Sequence, residues 1–100
     1  MDRETAINKM QEYVQDFKAQ LEKKDPDSLA ILISNTKKFF EELMTSVPES
    51  GKFSRDVREF GICLDRMDKA CEDKNMDAAE RALADMEDVV KRISQEEQKV

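Results

Sequence analysis

Apolar residues recur every three or four positions along almost the whole chain, in four blocks separated by short polar or Pro-containing breaks. That spacing lines one face of an α-helix and clashes with the strict alternation of a half-buried strand. In the first block Ile7, Met10, Val14, Phe17 and Leu21 step by 3, 4, 3 and 4. Leu29, Leu32, Ile33, Thr36, Phe40, Leu43 and Val47 form the second stripe, with Phe39 and Met44 on its flanks. The third runs through Phe53, Val57, Phe60, Leu64, Met67 and Cys71. Ala79, Ala82, Leu83, Met86, Val90 and Ile93 make the fourth. Only two Gly and two Pro interrupt 100 residues, too few for a loop-rich or sandwich architecture.

The breaks carry capping chemistry. Lys23 and Lys24 suit the negative end of a first helix. Asp25 then reads as N-cap, Pro26 as first helical residue and Asp27 as first-turn acid. Val47-Pro48 forbids continuation of the second helix, and Glu49-Ser50-Gly51 supplies a turn. Ser54 is the expected cap of the third helix, leaving Phe53 outside it at the staple position. Gly61 lies off the third stripe, at a cost of about 1 kcal/mol relative to Ala. Asp77-Ala78-Ala79-Glu80 has the form of a capping box.

These signals predict one domain over residues 1–100: all-α, an antiparallel up-down four-helix bundle made of two αα-hairpins. The expected helices cover about 3–24, 26–46, 53–73 and 77–94, with 95–100 as a frayed tail. Shifting the sequence by 50 residues lays Ile7 on Val57, Met10 on Phe60, Val14 on Leu64, Phe17 on Met67 and Leu21 on Cys71. Identities across the shift are confined to Glu22/Glu72, Lys24/Lys74 and Asp27/Asp77, so the halves read as similar hairpins and not as a duplication. The structural rival is a pair of hairpins that completes its core by forming a homodimer.

Composition narrows function by exclusion. Net charge is −6, with 23 acids against 17 bases. The bases do not cluster, so neither direct nucleic-acid binding nor an anionic membrane surface is expected. No apolar run approaches a membrane span, and no basic segment precedes an apolar one in the manner of a secretion signal. With no His, the commonest general base and metal ligand is missing. Cys63 and Cys71 stand eight apart on one helix, roughly 12 Å, too far for a disulfide. They read as reduced packing residues in a cytoplasmic protein. No phosphate-cradling loop or haem-attachment motif is present. The chain is therefore expected to be no enzyme and to hold no cofactor and no metal.

The remaining charges read as surface design, in i,i+4 pairs Lys37/Glu41, Lys38/Glu42, Arg55/Glu59, Arg81/Asp85, Glu87/Lys91 and Asp88/Arg92. More informative are apolar residues off the stripes. Ile31 falls opposite the stripe of the second helix, and Ile62 opposite that of the third; Tyr13 and Val89 sit on margins. Tyr13, Ile31 and Ile62 are the candidate contacts for a protein partner. The expected function is a protein–protein interaction module, small subunit or regulator. The alternative is an acidic inhibitor that mimics nucleic acid through Asp65, Asp68, Glu72, Asp85 and Asp88 and occupies a nucleic-acid-binding protein.

Overall fold

A computed structural model describes residues 2–46 and 51–98, with side chains described through Gln95. Four helices follow one another: α1 (Arg3–Lys23), α2 (Pro26–Ser46), α3 (Lys52–Glu72) and α4 (Met76–Gln98). Each packs on its neighbours in a closed ring, α1 on α2, α2 on α3, α3 on α4 and α4 back on α1, as in an up-down four-helix bundle. The expected stripes form one core, in which Met10, Phe17, Leu29, Phe60, Met67 and Met86 are fully buried. The expected turn at Val47-Pro48 lies outside the described residues.

The two inter-helix turns within the hairpins share one design. Lys24 ends α1 in the left-handed conformation (φ 54°), and Lys74 closes α3 in the same way (φ 56°). Asp25 then caps α2: its carboxylate accepts from Asp27 N–H at 3.1 Å and from the Ser28 hydroxyl at 2.8 Å. At α4 the corresponding residue is Asn75, whose side-chain oxygen accepts from Ala78 N–H at 3.1 Å. The expected capping box at Asp77 is thus displaced by two residues, because the left-handed Lys74 already reverses the chain and Asn75 satisfies the first free N–H groups. Ser54 is no cap either. Helix α3 starts at Lys52 behind Gly51, and Ser54 is buried within its first turn. Phe53 accordingly lies inside the helix, where the Arg3 guanidinium sits 4.9 Å over its ring. Helix α4 continues to Gln98, beyond the expected end at 94.

Between the hairpins, ion pairs accompany the apolar packing. Lys18 of α1 pairs with Glu87 of α4, and Lys37 of α2 pairs with Asp68 of α3. The 50-residue shift carries position 18 to 68 and 37 to 87, so the two pairs occupy equivalent places with their charges exchanged. Phe39 and Phe40 reverse their expected roles. Phe39 is buried beside Tyr13, whereas Phe40 is half-buried and turns toward α3. There it meets Gly61, where a Cβ would lie 2.4 Å from the tip of the ring. Gly61 therefore is buried and permits the close approach of α2, which accounts for its place in mid-helix despite the propensity cost.

Candidate functional site

Among the described residues, Ile31 and Ile62 are the large apolar side chains left in solvent, 66% and 59% exposed. They do not form one patch. Ile31 lies about 80° round α2 from Phe39, on the side facing α1. Ile62 sits on the α4 side of α3, at the rim of a groove between those helices. Tyr13 joins neither. Its ring is half-buried, 5.1 Å from that of Phe39, and it packs against the core.

The groove beside Ile62 has a volume of about 660 Å³ and an apolar floor made by Cys63 and Val89. Its origin is visible in the comparison of the two hairpins. The 50-residue shift lays Tyr13 on Cys63 and Phe39 on Val89, so two aromatic rings fill one face where a thiol and an isopropyl group stand on the other. A second groove flanks α4 on its α1 side, along Gln11, Val14, Val90 and Ser94. Its counterpart between α2 and α3 is the place where Phe40 covers Gly61. Both grooves thus arise where α4 carries Val89-Val90 and α2 carries Phe39-Phe40. A 50-residue comparison of side-chain volume, not only of hydrophobic phase, is the sequence signal that finds them.

Charged residues frame the first groove in two ion pairs between α3 and α4. Arg66 reaches Asp85 at 2.7 Å, and Glu59 pairs with Arg92. Beside the expected local pairing, Glu59, Asp85, Glu87, Arg92 and Lys37 each have an ion-pair partner on another helix. The Asp85 carboxylate holds the Arg66 guanidinium above its ordinary pKa through their hydrogen bond.

Chemistry at the groove is limited. Burial pushes the Cys63 thiol above its ordinary pKa, which disfavours the nucleophilic thiolate. Cys71 is raised for the same main reason, and its thiol donates to the Pro26 carbonyl at 3.3 Å, tying the end of α3 to the start of α2. Among the described residues no three Cys, Asp or Glu side chains converge as metal ligands would. Nor is any described helix long and apolar enough to cross a membrane. No protein family, no curated protein and no solved structure matches this chain.

Proposed function

We propose that the chain is a non-catalytic cytoplasmic protein-interaction module, a small subunit or regulator, that binds through the outer face of α3 and α4. The observation that carries this reading is Ile62. It stands 59% exposed beside a groove with an apolar floor, so a partner gains by covering both. Ile31 has the greater exposure, but the aromatic pair Tyr13–Phe39 already fills the corresponding hollow on its face. The acidic-mimic reading is less favoured. Asp68 and Asp85 are engaged by Lys37 and Arg66, which interrupts the row of free negative charge that a phosphate backbone presents.

Affinity capture from lysate with the full chain, and with Ile62→Asp or Ile31→Asp, tests the choice of face. Loss of captured protein with Ile62→Asp and retention with Ile31→Asp is the expected result. Retention by both variants, with complete release at high salt, would overturn the reading in favour of the mimic.

A further inference from the structure

The charge arrangement on the α3–α4 face goes one step further and names an occupant; this step rests on the reading that the face is a binding surface. Ile62 lies between Glu59, three residues before it, and Arg66, four residues after it. Each of those charges is paired across the groove, but the two pairs have opposite polarity. At one level α3 supplies the cation and α4 the anion, Arg66 with Asp85. One level further along, α3 supplies the anion and α4 the cation, Glu59 with Arg92. Four charges therefore stand at the corners of a rectangle with alternating signs, and the apolar Ile62 and Val89 lie at mid-height.

Such a rectangle complements itself. Rotation by 180° about a line in the face, running across the helices at the level of Ile62, lays Arg66 over Glu59 of a second copy. The same rotation brings Asp85 over Arg92 and Ile62 onto Ile62. Rotation about a line along the helices matches the four corners too, but it lays Ile62 over α4 of the second copy, at the level of Asp88 and Val89, instead of onto Ile62. We propose that the occupant of the α3–α4 face is a second copy of this chain, docked antiparallel about that crossing two-fold axis. The contact is isologous and closes at two copies. Only about 10 Å of helix separates Glu59 from Arg66, so the interface is small and the dimer weak, salt-sensitive and dependent on concentration.

Sedimentation equilibrium of the full chain over a wide concentration series, at low and high salt, reads the proposal directly. The decisive variants preserve the pairs within each chain. Arg66→Asp with Asp85→Arg inverts one pair, makes both levels alike and sets like charges against each other in the antiparallel dimer. Adding Glu59→Arg and Arg92→Glu inverts the second pair and restores the alternation. Dimerisation by the native chain, an increase in Kd of about tenfold or more on the single inversion, and recovery on the double inversion are expected. Circular dichroism of each variant verifies the helical fold. A native chain that stays monomeric throughout, or a dimer indifferent to the single inversion, overturns the proposal. If the native chain is monomeric while Ile62→Asp still strips a different captured protein, the dimer is refuted and the α3–α4 face remains the binding surface.

Discussion

The first and second hairpins have helices of similar length, the same left-handed lysine at the turn and the same phase of burial, yet they are packed from different materials. Helix α2 carries Leu29, Leu32, Phe39 and Phe40 where α4 carries Ala79, Ala82, Val89 and Val90. As a result α3 and α4 approach each other far more closely than α1 and α2, whose backbones are held apart by large side chains. Hydrophobic periodicity sets the topology of both halves alike. Side-chain volume then decides where backbones touch and where the surface is left hollow.

The largest effect should come from making α2 resemble α4. Leu29 is fully buried, and Leu29→Ala leaves a cavity between widely spaced helices, with an expected loss of about 2–5 kcal/mol in denaturant unfolding. The reverse exchange, Ala79→Leu, forces bulk into the core at a fully buried position of α4. It should cost about 1–3 kcal/mol in the same measurement, through overpacking instead of a void. If Ala79→Leu proves neutral, the core around Ala79 has room for the larger side chain.

Gly61→Ala sets two effects against each other. Helix propensity favours Ala by about 1 kcal/mol, but the new Cβ meets the Phe40 ring. The expected outcome is a net loss in the native background and a gain of up to about 1 kcal/mol when Phe40→Leu is present. A double-mutant cycle on thermal unfolding measures the coupling; independence of the two substitutions would show that Phe40 does not set the need for Gly.

The smallest effect separates the two turns by titration. Hydrogen bonds from the Ser28 hydroxyl and backbone hold the Asp25 carboxyl below the ordinary carboxylate value. A lowered folded-state pKa means that this contribution is present above the unfolded value and is lost as pH falls through the folded one. Asn75 caps α4 without a titrating group. Amide exchange in the first turn of α2 should therefore lose protection in acid before that of α4, and Asp25→Asn should remove the difference. Equal acid responses in the two turns would contradict this assignment.

Much of this architecture was legible because stripes and caps are local. The steps among Ile7, Met10, Val14, Phe17 and Leu21 place α1, Asp25 and Pro26 start α2, and the outward positions of Ile31 and Ile62 follow from the helical angle alone. What escaped the sequence depends on register between helices. Spacing of four residues brings Asp85 near Arg81, but only the packing of α3 on α4 brings Arg66 to it. The same holds for the Phe39-Phe40 dipeptide, whose rings straddle the edge of the stripe. Tyr13 of α1 receives one and Gly61 of α3 accepts the other. The starts of α3 and α4 were misplaced for a different reason: Ser54 and Asp77 are sound caps by residue type, but α3 already begins at Lys52 behind Gly51, and the left-handed Lys74 with Asn75 precedes Asp77. The groove by Ile62 was hidden because a stripe records polarity, and Val89 is as apolar as Phe39.

The exchanged charges of Lys18–Glu87 and Lys37–Asp68 have a bearing on how a chain of two look-alike halves avoids joining wrongly. Two copies of the first hairpin, brought together as the hairpins meet here, would set Lys18 against Lys37 twice. Two copies of the second would set Asp68 against Glu87 twice. Only the mixed union gives attraction at both places. Each exposed pair is worth about 0.2–1 kcal/mol, but turning attraction into repulsion at two sites at once widens the gap between right and wrong unions. The seam thus works as a lock with a polarity: each half rejects its own likeness and accepts its counterpart.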